Sequence, residues 1–257
     1  MKITRFLPLM AVLAALLVPA GSSLAAGLPE LTPISAGYLV RVNGLQTSIS
    51  ARIELAPPAL AGEQSLSFTI KSRFFNHHEV SQFDWANCRA RPRHYEMAFD
   101  GLGIERRSTV DFDWDKQLAT ESALEQPVQI PLDNARMDAL SMAMTARCWL
   151  RDGRQRLELP VVYRGGKRDL LFSVVGREPV ETPLGTFDAV LLENRHNNAR
   201  IKRTRVWVAP ALDWFMVRME HVENPVARGS MLLTDLVYDR TKMAPSAPAT
   251  ADTDGKR

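Results

Sequence analysis

The chain has 257 residues, 46% of them apolar and 24% charged, with 32 Lys+Arg against 29 Asp+Glu. That length and apolar share suit a single β-rich domain with a packed core. A formal net charge of +3, partly carried by Lys2 and Arg5 at the N-terminus, gives no basic field of the kind that holds nucleic acid, so no nucleic-acid partner is expected.

Lys2 and Arg5 open a run from Phe6 to Val18 that is apolar except for Pro8, followed by Pro19, Gly21, Ser22 and Ser23. Charge, apolar run and the small-x-small site Ser23-Leu24-Ala25 follow one another in the order of a secretory signal peptide, with cleavage expected after Ala25 or Ala26. The run is too short for a stable membrane span, and no later segment is long and apolar enough for one, so the mature chain is expected in the periplasm without a transmembrane segment. Neither cysteine lies near the cleavage site, which argues against lipid attachment there. Residues 26–36 read as a linker, residues 37–240 as one domain and residues 241–257, small, polar and rich in proline, as a disordered tail.

From Tyr38 the pattern turns to period two. Tyr38, Val40 and Val42 alternate with Leu39 and Arg41, and Asn43-Gly44 supplies a hairpin turn, since both residues tolerate positive φ. Ile49, Ala51, Ile53 and Leu55 share one face of the next strand, and Leu66, Phe68 and Ile70 one face of the third. Further strands are expected around 94–99 and 105–114. Between residues 133 and 150, Met137, Leu140, Met144 and Cys148 recur in steps of three and four, which predicts an amphipathic helix. Asp133 or Asn134 would cap it, with Asp138 in its first turns. Strands resume around 157–161, 169–175, 187–193, 200–208, 214–222 and 230–238, spaced as an antiparallel meander with turns at Gly165-Gly166 and Pro183-Leu184-Gly185.

The expected fold is mainly β: a curved antiparallel sheet or half-barrel with one amphipathic α-helix packed in its concave face. Such a fold makes an apolar pocket, and the methionines of the helix adapt to varied apolar partners. Met137, Leu140, Met144, Trp207 and Trp214 are therefore the candidate residues for an apolar or lipid-like ligand. The same pattern also fits a helix that fills the core and leaves no pocket, in a scaffold that acts through its surface.

Cys88 and Cys148 make an even cysteine count, which in an oxidising compartment suggests one disulfide, the alternative being two buried thiols. Arg195, Arg200, Lys202, Arg203 and Arg205 form a basic stretch without an acid. It either protects a strand edge from aggregation or meets an anionic partner such as phospholipid head groups, an acidic envelope polysaccharide or an envelope protein.

Catalytic signatures are weak. His77-His78-Glu79 reads as a solvated loop or turn rather than a metal site, because adjacent strand residues point to opposite faces. Asp111, Asp113 and Asp115 read as one solvated strand face rather than a catalytic pair. Ser141 is inside the expected helix and no nucleophile elbow is present. No enzyme activity, metal or cofactor is expected, and an enzyme acting on envelope polymer is the third reading.

In order along the chain, Thr109–Trp114, Asp138–Ser141, Phe172–Gly176, Glu181–Val190, Arg205–Pro210 and Phe215–Met219 resemble the exported family known as domain of unknown function 3108. The resemblance runs from about Gly37 to Tyr238. It implies a periplasmic protein whose curved antiparallel fold is similar to the half-barrels of lipoprotein carriers. It implies no reaction, cofactor or catalytic residue.

Overall fold

The structure, a computed structural model, describes residues 31–58, 60, 62–101, 103–122, 126–195 and 202–238. The expected signal peptide with Ala25 and Ala26, Arg200 and the expected disordered tail lie outside the described residues. In chain order the strands are β1 (Ile34–Val42), β2 (Leu45–Leu55), β3 (Glu63–Lys71), β4 (Phe75–Ala86), β5 (Arg89–Gly101), β6 (Ile104–Asp113), β7 (Leu118–Glu121) and β8 (Val128–Pro131). A 3-10 turn (Asp133–Ala135) and the helix α1 (Met142–Arg151) follow. The chain then returns to β9 (Arg156–Tyr163), β10 (Gly166–Thr182), β11 (Gly185–Arg195), β12 (Arg203–Ala209), β13 (Phe215–Asn224) and β14 (Ala227–Tyr238).

All fourteen strands belong to one antiparallel sheet of order β8-β7-β6-β5-β4-β3-β2-β1-β14-β13-β12-β11-β10-β9. The first and last strands pair at its centre, from Ile34 opposite Tyr238 to Val42 opposite Gly229. Each wing is a plain meander, so alternate turns fall at opposite ends. Turns 43–44, 72–74, 102–103, 164–165 and 225–226 form one end, here the hairpin rim; turns 56–62, 87–88, 114–117, 183–184 and 210–214 form the other. Asn43 and Gly44 both take positive φ, 51° and 80°, which matches the expected hairpin turn.

The sheet is nearly closed into a barrel. The chain leaving β8 runs beside β9: Met137 N–H donates to Pro160 O at 3.0 Å and Val162 N–H to Met137 O at 2.8 Å, a single parallel bridge. Ile130 and Leu132 pack there with Val162 in a small core of their own. The buried Glu121 accepts from Ser108 Oγ at 3.0 Å and from the Gly165 N–H across the gap. Arg136, 4% exposed, donates to Asp133 and to Asp169 at 2.8 and 2.7 Å. The two edges of the sheet thus satisfy each other's polar groups, and little open edge is left.

Several expectations need correction. Residues 31–36 are not linker: Leu31, Ile34 and Ala36 are buried and β1 starts at Ile34. The helix spans Met142–Arg151, not 133–150. Asn134 has φ 57° and Arg136 is extended, because residues 136–138 are drawn along β9 instead. Met137 therefore sits in the seam and not on a helix stripe. Finally, His77 and His78 lie in β4, a strand the sequence pattern did not reveal. Asp115 falls in the turn after β6, so the three aspartates do not share a strand face.

Candidate ligand cavity

Helix α1 sits in the concave side of the sheet, against β5 and β9, and is fastened at the end away from the hairpin rim. Cys148 meets Cys88 of the β4–β5 turn at disulfide distance, Cα atoms 5.5 Å apart. Arg147, 7% exposed in its side chain, donates to the backbone O of Asp213 at 3.0 Å and to its carboxylate at 2.9 Å. Thr145 Oγ1 accepts from the Ala90 N–H at 2.9 Å. Asp138 makes the fourth attachment. One carboxylate oxygen accepts from the N–H groups of Leu140 and Ser141 at 2.8 and 2.7 Å, and the other from the hydroxyls of Ser81 and Ser141 at 2.6 and 2.7 Å. Asp138, rather than Asp133 or Asn134, therefore holds the turn that leads into the helix, whose own N-cap position, Ser141, makes no side-chain cap bond. Its burial outweighs these bonds and raises its carboxyl above the usual range.

Between α1 and the inner faces of β9 to β13 lies a cavity of about 250 Å³. Met142, Ala143 and Ala146 present the helix side; Leu157, Phe172, Val206, Val208, Trp214 and Met219 present the sheet side. Of the polar side chains in the lining, Thr204 meets His221 Nδ1 at 2.9 Å and Arg147 meets Asp213, and Trp214 adds an indole with its N–H. Such a surface can hold an apolar group.

Of the five residues expected to meet a ligand, Leu140, Met144 and Trp214 line the cavity. Met137 does not, being in the seam. Trp207 does not either: its neighbours Val206 and Val208 face the cavity, so Trp207 faces outward by strand alternation. There its ring lies under Arg218 at 4.7 Å and its Nε1–H donates to Glu178 at 2.6 Å.

Of the basic stretch, Lys202 pairs with Glu223 and Arg205 with the buried Glu193, each at 2.8 Å. Arg203 has no ion-pair partner among the described residues. Arg195 ends β11, its backbone opposite Arg203. The histidines are spread. His77 and His78 point to opposite faces: His77 Nε2 meets Glu79 at 2.6 Å on the concave side, and His78 meets Thr69 at 2.8 Å. Tyr95 adds its hydroxyl to Glu79 at 2.9 Å; burial and that carboxylate push its phenol up, so it stays a donor. His94 pairs with Asp111 at 2.7 Å on the outer surface. Among the described residues, Cys88, Cys148 and Asp152 are the group whose ligand atoms all lie within 4.8 Å, and its two sulfurs are the pair already at disulfide distance.

The His77–Glu79–Tyr95 cluster and the Asp138 attachment were not found by sequence reasoning. Inward-facing His77, Glu79 and Ser81 replace the apolar residues that would have marked β4. The one available signal for Asp138 was its spacing three residues before Ser141, as in a cap followed by the first turn.

No curated protein matches the chain. Among solved structures it is similar to a crystal structure of a candidate lipoprotein from Parabacteroides distasonis ATCC 8503, at 12% identity and a TM-score of 0.33, over 81% of this chain and 97% of that one. The family model described as "Protein of unknown function (DUF3108)" matches residues 64–234, from β3 to β14, and the chain belongs to that family.

Proposed function

We propose that this protein is a non-catalytic, exported binding protein that holds an apolar, lipid-like group between α1 and the sheet. The observation that carries the reading is the cavity: about 250 Å³ lined largely by apolar side chains, with Thr204 and Arg147 already engaged. A pocket of that size is just under the range of about 300–1,000 Å³ usual for whole small molecules, so it suits one acyl chain rather than an entire lipid. The cavity favours this reading over a scaffold with a filled core. The leader-like N-terminus supports a periplasmic setting, where apolar chains need a carrier to cross water.

The test is native mass spectrometry of protein purified gently from a periplasmic extract, before and after organic extraction. The expected result is an added mass that extraction removes and that identifies as a lipid. The variant Ala143→Trp, which projects an indole from the exposed helix face into the cavity, should fold and lack the adduct. A bare polypeptide mass in the wild type, or an adduct unchanged by Ala143→Trp, would overturn the reading.

A further inference from the structure

The two ends of the barrel differ in their surface chemistry. At the end where α1 is fastened, Arg52 pairs with Asp235, Arg93 with Glu63, Lys116 with Asp113 and Arg177 with Asp188, at 2.6–3.1 Å, and the cations without an acid partner among the described residues, Arg89, Arg91 and Arg154, are offset by as many acids without a cation, Asp115, Asp152 and Glu181. At the hairpin rim they are not. Arg41, Lys71, Arg106, Arg203 and Arg228 have no ion-pair partner among the described residues, whereas the rim acids Glu105, Glu220 and Glu223 are taken by Arg107, Arg218 and Lys202 and Asp100 alone stands without a cation. The rim thus carries an excess of free positive charge.

The turns of the same rim end in exposed apolar side chains. Leu45 is 73% exposed, Phe74 62% and Val226 79%, with Val42 and Ile104 also exposed. Phe74 has the Arg73 guanidinium 5.0 Å from its ring centre. The β1–β2 and β13–β14 turns are held together: Asn43 N–H donates to Arg228 O at 2.8 Å, and Arg228 N–H to Asn43 Oδ1 at 2.9 Å. Beside this joined pair, Arg41, Arg203 and Arg228 line one cleft of about 540 Å³, with Val226 at its edge; the one carboxylate in its lining, Glu220, is held by Arg218.

Apolar tips set on separate turns do not make a groove for a peptide or a continuous face for a protein. They do match a bilayer interface, where apolar side chains enter the acyl boundary while arginines and lysines meet anionic head groups. We propose that the hairpin rim docks on an anionic phospholipid surface, with lipid phosphates in the Arg41–Arg203–Arg228 cleft and Leu45, Phe74 and Val226 entering the interface. This goes beyond the cavity reading and does not depend on it.

The test is co-sedimentation of the purified protein with vesicles of phosphatidylglycerol and phosphatidylethanolamine, and with vesicles of phosphatidylcholine, at about 0.1 M salt, where surface charges still reach about 10 Å. The wild type should bind the anionic vesicles and not the neutral ones. Each cation near the surface is worth about fivefold in affinity, so Arg41→Ser/Arg203→Ser/Arg228→Ser should weaken binding about a hundredfold. Leu45→Ser/Phe74→Ser/Val226→Ser should weaken it at least tenfold and leave what remains abolished by salt. All six positions are at the surface, so circular dichroism should show both variants folded, and native mass spectrometry should show any cavity adduct retained. No binding to anionic vesicles, or equal binding to neutral ones, would overturn the proposal. Full binding by the apolar-tip variant would also overturn it and point to a soluble polyanion such as an acidic polysaccharide.

Discussion

Replacing Asp138 tests the attachment of the helix directly. In Asp138→Ala the hydroxyls of Ser81 and Ser141 can turn toward each other, but the N–H groups of Leu140 and Ser141 stay buried without acceptors. An unsatisfied buried donor costs about 1–3 kcal/mol, and relief of the desolvated carboxylate offsets part of that, so the expected loss is about 3 kcal/mol. Asp138→Asn keeps one oxygen for both N–H groups and turns the other side into a donor that the two hydroxyls can accept. Its cost should be about 1 kcal/mol. The two variants also differ in pH dependence. Burial raises the Asp138 carboxyl in the folded protein, so the native state holds its proton to higher pH than the unfolded chain does. The contribution of Asp138 to stability is then greatest below about pH 3.9, the unfolded value. It declines as pH rises through the folded one. Urea unfolding followed by tryptophan fluorescence at pH 4.5 and pH 7.5 should show Asp138→Asn closing its gap to the wild type, or passing it, at the higher pH. A loss under about 1 kcal/mol for Asp138→Ala, or a gap between Asp138→Asn and wild type that does not change with pH, would refute the account.

Closing the Cys88–Cys148 bond spans a sequence separation of 60, worth about 4 kcal/mol in the chain-entropy model. Protein prepared under oxidising conditions should resist alkylation until reduced, and reduction should lower its urea midpoint. Asp213→Asn keeps a residue that tolerates the left-handed φ of 51° but removes the charge facing the buried Arg147. Because Asp213 is partly exposed, the loss should be about 1–2 kcal/mol rather than that of a fully buried pair, read as a shift in urea midpoint. Gly101→Ala would place a Cβ 2.4 Å from Phe74 O and Phe75 Cα at a φ of +151°. It should cost at least about 2 kcal/mol in thermal unfolding, while Gly103→Ala, with open space around it, should cost less.

How much the sequence disclosed follows from where its alternation was clean. Ala51, Ile53 and Leu55 alternate with exposed Ser50, Arg52 and Glu54, so β2 was legible with its faces correctly assigned, as were the C-terminal meander and the curved sheet holding one helix. β4 was hidden because its concave face carries His77, Glu79 and Ser81, whose polar groups are taken up inside the barrel: His77 meets Glu79, Glu79 accepts from Tyr95, and Ser81 donates to Asp138. The length of the helix was misjudged for a different reason. Met137, Leu140, Met144 and Cys148 keep helical spacing, yet Met137 gives both of its backbone bonds to β9. Closing the seam overrides a local preference worth only tenths of a kcal/mol per residue. Of the candidate site, Leu140, Met144 and Trp214 were found, while Phe172, Val206 and Met219 were passed over because each reads as an ordinary strand residue until the sheet is curled.

The attachments of α1 bear on how a ligand would exchange. Cys148, Arg147, Thr145 and Asp138 fix the helix to the β4–β5 and β12–β13 turns and to β4 and β5. Swinging it out would break several buried polar contacts together, each worth on the order of 1 kcal/mol or more. The concave residues nearer the hairpin rim are packed less tightly: Val40, Ile49, Phe68, Ile70 and Met97 are only partly buried. An apolar chain therefore meets less resistance entering past the rim than past the helix, and the rim is also where free cations and exposed apolar tips converge. If exchange takes that path, locking the helix further should leave ligand uptake unchanged, whereas a second disulfide joining the rim turns β1–β2 and β3–β4 should slow it. Uptake slowed only by constraints on α1 would place the route on the opposite side of the barrel.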